Sequence, residues 1–142
     1  MKLAVGSDHA GYELKVKLLE DIEKLGHEVT DLGCFSGEPV DFPDIAKQVC
    51  LNVLEGKAKR GIMICGTGAG AGIACNKIPG IRASICHDIY TAHQCVEHDD
   101  VQIMCLGAQI IGHTVAAELI EVFLKAEFSS DKDFRRRVEK LE

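Results

Sequence analysis

Residues 61–72 have the sequence Gly-Ile-Met-Ile-Cys-Gly-Thr-Gly-Ala-Gly-Ala-Gly. The apolar run that ends at Cys65 predicts a buried strand, and the glycines at alternate positions from Gly66 to Gly72 predict a tight loop that opens into a short helix. A buried strand that passes through a glycine-rich loop into a helix is typical of α/β proteins with a parallel sheet. This stretch therefore predicts the fold class.

Apolar patterns on both sides of this stretch continue the same alternation. Five apolar segments predict strands, at Lys2–Gly6, Glu28–Leu32, Gly61–Cys65, Ile81–Cys86 and Val101–Leu106. Apolar residues with a 3.6-residue period predict helices over residues 14–25 and 45–54, near 89–96, and over 114–126, and the charged residues 131–142 predict a last helix. We predict a doubly wound, five-stranded parallel sheet with helices on both faces.

The composition excludes several classes of protein. The chain has 142 residues, of which 46% are apolar and 27% charged, so we predict one globular domain over residues 1–142. A net charge of −6 and the absence of Trp argue against a nucleic-acid partner, and no apolar stretch is long enough to span a membrane. Charged Asp8 comes too early for the apolar core of a signal peptide, so we predict a cytoplasmic protein.

The seven cysteines do not form a recognisable metal or redox motif. They occupy positions 34, 50, 65, 75, 86, 95 and 105, with no Cys-x-x-Cys pair, which argues against a zinc ribbon or a thioredoxin-type motif. Most lie inside apolar runs, so for six of them we predict small buried thiols in a reducing compartment. Cys65 differs from the others because the glycine-rich loop follows it directly.

Polar residues follow several of the predicted strands. In doubly wound sheets, ligands bind at the carboxyl ends of the strands. We expect four segments to lie there: Ser7-Asp8-His9, Asp41, Cys65–Gly72 and the region near His98-Asp99. Together they predict a site at that edge.

The loop after Cys65 has the features of an anion site. Its glycines allow backbone N–H groups to face a ligand, and the helix N-terminus adds positive potential. It lacks the Gly-Lys-Ser/Thr of a Walker loop and the spacing of a dinucleotide fingerprint. Cys65 is a candidate base or nucleophile in this setting, and a seventh structural cysteine is an equal alternative.

Three other segments allow both a functional and a structural interpretation. Asp8-His9 could move protons or bind hydroxyl and phosphate groups, or could be a helix N-cap and a surface histidine. Taken alone, His98-Asp99-Asp100 predicts a polar turn. Arg135–Arg137 predicts either a solvated helix face or a clamp for an anion.

Several blocks of the sequence together resemble one family. In chain order they are Gly6-Ser7-Asp8-His9-Ala10-Gly11, Val40-Asp41-Phe42-Pro43-Asp44, Ile64-Cys65-Gly66-Thr67-Gly68-Ala69-Gly70, Asn76-Lys77-Ile78-Pro79-Gly80-Ile81-Arg82-Ala83, Cys86-His87-Asp88, Glu97-His98-Asp99 and Leu106-Gly107-Ala108-Gln109-Ile110-Ile111-Gly112. Over essentially its full length the chain resembles the type B ribose-5-phosphate isomerases and the related galactose-6-phosphate isomerases.

The resemblance implies a reaction and a set of catalytic residues. It implies a Rossmann-like isomerase, free of metal and cofactor, that interconverts ribose 5-phosphate and ribulose 5-phosphate in the pentose phosphate pathway through an enediolate. Cys65 would move the proton between C1 and C2, and Thr67 would assist it. Asp8 would handle the hydroxyl protons, and His98 would open the furanose ring.

The resemblance also implies how the substrate is held. The implied binding set is His9, Gly66, Gly68, Ala69, Gly70, Asp99, Lys132, Arg136 and Arg137. The loop amides would hold the enediolate oxygen, and His9 and the C-terminal basic residues would bind the phosphate. The protein would be a homodimer or a dimer of dimers, with the C-terminal helix docked on the partner subunit.

Departures from the family pattern leave the substrate open. Asp99 stands where the family usually has Asn, and an ionised Asp can only accept hydrogen bonds. Gln109 stands where Arg is frequent, and Lys132-Asp133-Phe134 replaces a Gly-Arg-His or Glu-Arg-His block. The alternatives are the same chemistry on a galactose, allose or tetrose phosphate, and a non-catalytic sugar-phosphate binding subunit.

Overall fold

The computed structural model describes all 142 residues and contains eleven regular elements. The strands are β1 (Lys2–Ser7), β2 (Glu28–Asp31), β3 (Arg60–Cys65), β4 (Ala83–Ile85) and β5 (Ile103–Gly107). The helices are α1 (Tyr12–Lys24), α2 (Phe42–Leu54), α3 (Ala69–Asn76), α4 (Ile89–Asp99), α5 (His113–Lys125) and α6 (Lys132–Glu139). No helix is both long enough and apolar enough to cross a lipid bilayer.

The strands form one parallel sheet in the order β2-β1-β3-β5-β4. Helices α1, α4 and α5 pack on one face, and helices α2 and α3 pack on the other. The central strand β3 is buried along its whole length, because helices cover both of its faces. The predicted five-stranded parallel sheet with helices on both faces is confirmed.

The predicted boundaries of one strand and one helix were wrong. Strand β4 covers only Ala83–Ile85, because it is an edge strand that pairs with β5 alone. Helix α4 continues to Asp99, so His98 and Asp99 form its last turn rather than a polar turn after it. Asp100 ends the helix with a positive φ of 49°, a left-handed conformation that Asp adopts more readily than most other non-glycine residues.

The buried charge of Lys15 was not predicted. Lys15 lies within the apolar stripe of α1 and is completely buried, with its ammonium group 2.6 Å from the Asp31 carboxylate and 2.5 Å from the Cys34 carbonyl oxygen. A buried cation requires such partners. Lys15 thereby ties α1 to the end of β2 and to the loop after it.

Candidate active site

Asp8 and Cys65 meet at the carboxyl edge of the sheet, at the ends of adjacent strands β1 and β3. The N–H of Asp8 donates to the carbonyl oxygen of Ile64, the residue before Cys65, at 3.1 Å. Cys65 in turn pairs in register with Gly107, the last residue of β5. Asp8 and Cys65 therefore lie at the ends of neighbouring strands on one edge of the sheet, as the strand pattern predicted.

The Cys65 sulfur faces the start of α3. It is only 4% exposed, and the N–H of Gly68 donates to it at 3.1 Å. Gly68 has a φ of +84°, which glycine adopts without strain and which turns the loop back over the sulfur. A peptide N–H and a helix N-terminus are features that stabilise negative charge on sulfur.

The loop amides divide into two groups. The N–H groups of Gly68 and Ala69, expected to face the substrate, are instead turned to the Cys65 sulfur and to the Thr67 hydroxyl, at 3.1 and 3.2 Å. The N–H groups of Gly66, Thr67 and Gly70 have no backbone or side-chain acceptor in the chain. These three amides are therefore free to donate to an oxyanion.

Asp8 and His9 are each held by one hydrogen bond and keep one free end. An Asp8 carboxylate oxygen accepts from the N–H of Gly11 at 3.0 Å, near the start of α1, and the residue is 7% exposed. The Nδ1 of His9 accepts from the N–H of Val40 at 3.2 Å, so the neutral ring carries its proton on Nε2. His9 is exposed and can present that N–H to an anion.

His87 belongs to the same edge and was not assigned a role from the sequence. Its Nε2 accepts from the N–H of Gly107 at 2.8 Å, and burial lowers the pKa of His87 despite the opposing charge of Asp88. A Cβ atom on Gly107 would lie 2.5 Å from the carbonyl carbon of Thr67. His87 therefore holds the strand end against which the glycine-rich loop Gly66–Gly72 packs. The signal in the sequence that could have pointed to His87 is its position directly after a predicted strand.

His98 and Asp99 do not lie at this edge, and that expectation was wrong. Helix α4 runs antiparallel to the strands, so its last turn lies at their amino ends. Arg82, which precedes β4, donates through Nε to the carbonyl oxygens of Asp99 and Asp100 at 3.1 and 3.0 Å. The length of the sheet, roughly 15 Å along a strand of five residues, separates His98 from Cys65 within one chain.

Helix α6 packs on α4 of its own chain and carries the C-terminal basic residues. Val138 of α6 is buried, and Glu142, just beyond the helix, forms an ion pair at 2.6 Å with Arg82, the residue before β4. Arg136 is paired with Asp133 at 2.6 Å, whereas Lys132 and Arg137 are exposed and have no acidic partner. The predicted phosphate residues of the C-terminal helix thus lie on the helix that contacts His98, away from Cys65 and from His9.

The thiols are all reduced and buried, as predicted for six of the seven. The His, Cys, Asp and Glu side chains include no group of three or more positioned to hold a metal ion. In the described geometry, the groups available for chemistry are a thiol, a carboxylate, imidazoles and free backbone N–H donors. These are suited to proton transfer at a carbon next to a carbonyl.

Comparison with known proteins identifies the family. The family model described as Ribose/Galactose Isomerase matches residues 3–141. The chain belongs to this family. Membership confirms the resemblance seen in the sequence, and with it the enzyme class, an aldose–ketose isomerase.

Individual family members match over nearly their whole length. The chain is 43% identical over 132 residues to the Ribose-5-P isomerase B of Listeria innocua, covering 93% of this chain and 89% of the relative. It is 39% identical over 129 residues to the D-erythrulose-4-phosphate isomerase of Pectobacterium atrosepticum, covering 90% and 85%. The structure of Ribose-5-Phosphate Isomerase B from Clostridium thermocellum superposes with a TM-score of 0.97 at 43% identity, covering 99% of this chain and 95% of that one.

Proposed function

We propose that this isomerase interconverts ribose 5-phosphate and ribulose 5-phosphate in the cytoplasm, without a metal or cofactor. The observation that carries the proposal is the Cys65 sulfur beside the free N–H groups of Gly66, Thr67 and Gly70. Isomerisation needs a base at C2 and donors for the oxygen that becomes negative, and this segment supplies both.

The proposed reaction is a proton shift through an enediolate. The Cys65 thiolate takes the C2 proton of the open-chain aldose, and the electron pair of the C2–H bond forms a C1–C2 double bond while the C1 carbonyl oxygen becomes negative. The same proton then returns to C1. Asp8, with one carboxylate oxygen free of intrachain bonds, moves the hydroxyl proton from O2 to O1, which leaves a ketone at C2. Thr67 assists Cys65.

The complete site requires two copies of the chain. Roughly 15 Å of sheet separates Cys65 from His98 in one chain, so the His98 that opens the furanose ring comes from a second copy. An apolar cleft of about 620 Å³ lies between α3 and β4, next to the catalytic loop. In it Ile73 is 62% and Ile85 39% exposed, which suits a surface covered by another subunit. We propose a homodimer, or a dimer of dimers, with α6 docked at the partner's site.

The phosphate lies between His9 of one subunit and α6 of the other. Arg137 and Lys132 carry charges without acidic partners, whereas Arg136 is neutralised locally by Asp133. Arg137 is therefore the main phosphate ligand, and Lys132 and Arg136 make smaller contributions. Asp99, at the exposed end of α4, contacts a sugar hydroxyl as a hydrogen-bond acceptor.

A second candidate substrate is a tetrose phosphate. A relative with 39% identity is named D-erythrulose-4-phosphate isomerase, and Asp99 and Gln109 differ from the pattern expected for ribose. A six-carbon galactose or allose 6-phosphate is a further option within the same chemistry. The third possibility, a non-catalytic binding subunit, conflicts with the presence of Cys65, Thr67, Asp8 and His98.

One assay separates these candidates. Purified protein alone is given ribose 5-phosphate, erythrose 4-phosphate, allose 6-phosphate and galactose 6-phosphate, and kcat/KM is measured for each. The highest value on ribose 5-phosphate is expected. A higher kcat/KM on another sugar would make that sugar the proposed substrate and leave the proposed reaction unchanged. If correctly folded, dimeric protein turns over none of the sugars, the catalytic proposal is rejected.

A further inference from the structure

The imidazole ring of His98 is stacked on the ring of Phe134. The two ring centroids are 3.8 Å apart, and the ring planes differ by 13°. His98 lies in the last turn of α4 and Phe134 in the first turn of α6, so the contact joins two helices of one chain. A parallel stack at this distance restricts rotation of the imidazole about its side-chain bonds.

A second contact fixes the proton on the same ring. The side-chain amide nitrogen of Gln94, one turn earlier on α4, lies 2.8 Å from Nδ1 of His98. An amide NH₂ group can only donate, so Nδ1 accepts, and the neutral imidazole carries its proton on Nε2. Nε2 has no hydrogen-bond partner within the chain, and it is the end of the ring that is free to meet a substrate.

Phe134 also lies against the proposed phosphate ligand. The guanidinium carbon of Arg137, one turn further along α6, is 5.8 Å from the Phe134 ring centroid. The groups assigned to ring opening and to phosphate binding therefore share one aromatic side chain.

We propose that Phe134 and Gln94 are positioning residues for His98. Phe134 sets the plane of the imidazole, and Gln94 selects the tautomer that presents Nε2–H as a hydrogen-bond donor to the furanose ring oxygen. This inference rests on the proposed function, because it takes ring opening to be the task of His98. Neither residue touches the substrate.

The first experiment compares substitutions at Phe134 by their effect on kcat. Phe134→Leu keeps an apolar side chain but removes the flat ring, and Phe134→Tyr restores the ring. Phe128→Ala is the matched control, because Phe128 lies in the same terminal segment and contacts Arg135, 4.6 Å from its ring centroid, instead of His98. Thermal melting and gel filtration confirm that each variant is folded and has the oligomeric state of the wild type.

The expected result depends on whether the sugar must open. With ribose 5-phosphate, Phe134→Leu should lower kcat about tenfold, because misplacing an acid–base catalytic group typically costs a substantial part of its ~10²–10⁴-fold effect. The kcat of Phe134→Tyr should stay within about twofold of the wild-type value, since the ring is restored. The kcat of Phe128→Ala should be unchanged. With erythrose 4-phosphate, which cannot form the furanose ring, the Phe134→Leu kcat stays near wild type. An equal loss of kcat on both sugars overturns the positioning role. So does a double variant Phe134→Leu/His98→Asn whose kcat is about tenfold below that of His98→Asn alone, because Phe134 would then act independently of His98.

The second experiment does not depend on activity. The histidine side chains are labelled with ¹⁵N, and the His98 signals are assigned by their absence in His98→Asn. At pH 8 the wild-type spectrum should show a protonated Nε2 and an unprotonated Nδ1, and Gln94→Leu should convert this to a mixture of tautomers. A protonated Nδ1 in the wild type, or an unchanged spectrum in Gln94→Leu, overturns the role of Gln94. A protein that isomerises no sugar rejects the proposed function and leaves this measurement valid.

Discussion

The backbone N–H of Gly68 donates a hydrogen bond to the sulfur of Cys65, 3.1 Å away. The glycine that turns the loop and the thiol at the end of β3 thus form one unit, three residues apart in sequence. The donor is a backbone N–H whose direction is set by the left-handed conformation of Gly68, and the acceptor is the side chain of Cys65. Replacing Cys65 by alanine therefore removes the acceptor of this hydrogen bond but keeps the glycine that turns the loop.

The first prediction concerns the base. Cys65→Ala should lower kcat by about 10²–10⁴-fold, the typical loss when a general base is removed, with little change in melting temperature. Cys75→Ala is the control, because Cys75 is a completely buried thiol on the same face of the sheet and has no proposed role in the reaction. If Cys65→Ala keeps more than about a tenth of the activity, Cys65 is not the base.

The second prediction concerns pH and His87. Burial lowers the pKa of His87 below the ordinary value of 6.5, so the unfolded chain binds more protons than the folded chain in this range. The stability that His87 contributes is therefore complete above about pH 6.5 and is lost as the pH falls through its folded-state pKa. Protonation also removes the acceptor for the N–H of Gly107.

His87→Gln tests this prediction, because its side-chain oxygen can accept the same N–H without titrating. Between pH 7.5 and 5.5 the melting temperature of the wild type should fall further than that of His87→Gln. His27, whose pKa is also lowered, is present in both proteins and cancels in the comparison. The pKa of Asp88 is lowered from its ordinary value of 3.8, so the contribution of Asp88 to stability changes only below pH 5.5. Parallel melting curves for the two proteins would contradict the prediction.

The third prediction concerns the phosphate. Arg137→Ala should raise KM about tenfold or more, equivalent to about 1.4 kcal/mol of lost binding if the substrate dissociates faster than it reacts. Arg135→Ala is the control. Arg135 lies on the same helix as Arg137, but its guanidinium packs over the ring of Phe128, which precedes the helix. Arg137→Lys should rescue KM only in part, because a lysine cannot reproduce the two-pronged geometry of a guanidinium. Equal KM values for the alanine variants at 135 and 137 would remove Arg137 from the phosphate site.

The fourth prediction concerns the shared site. Cys65→Ala and His98→Asn subunits, each nearly inactive alone on ribose 5-phosphate, should regain activity when they are mixed and allowed to exchange. In a mixed dimer, one site combines an intact Cys65 with an intact His98 from the other subunit, so random exchange gives about a quarter of the wild-type activity. If no activity returns after exchange has been verified by mass spectrometry, a site shared between subunits is ruled out.

The fifth prediction concerns metal. Dialysis of the enzyme against EDTA, followed by assay in metal-free buffer, should leave kcat and KM unchanged, because the proposed proton shift uses Cys65, Thr67, Asp8 and backbone amides. Loss of activity that Mg²⁺, Mn²⁺ or Zn²⁺ restores would show that the oxyanion is stabilised by an ion instead.

Local signals in the sequence were sufficient to predict the sheet and to place Asp8, His9 and Cys65 at one edge of it. The apolar run that ends at Cys65, the glycines after it and the stop at Gly26, which has a φ of +92°, depend on contacts within a few residues. Asp8, His9 and Cys65 directly follow or end strands of a parallel sheet, and such strand ends always meet at one edge. Their proximity follows from the strand pattern alone.

The tertiary structure decided where His98 lies and what holds it. His98 was expected beside Cys65, but α4 runs antiparallel to the strands and delivers it to the opposite edge. Its stacking partner, Phe134, is 36 positions away in the sequence and lies on another helix. Likewise, the N–H that donates to His87 belongs to Gly107, 20 residues further along the chain. Contacts at such separations depend on how helices pack over the sheet, which the local periodicity of residues does not encode.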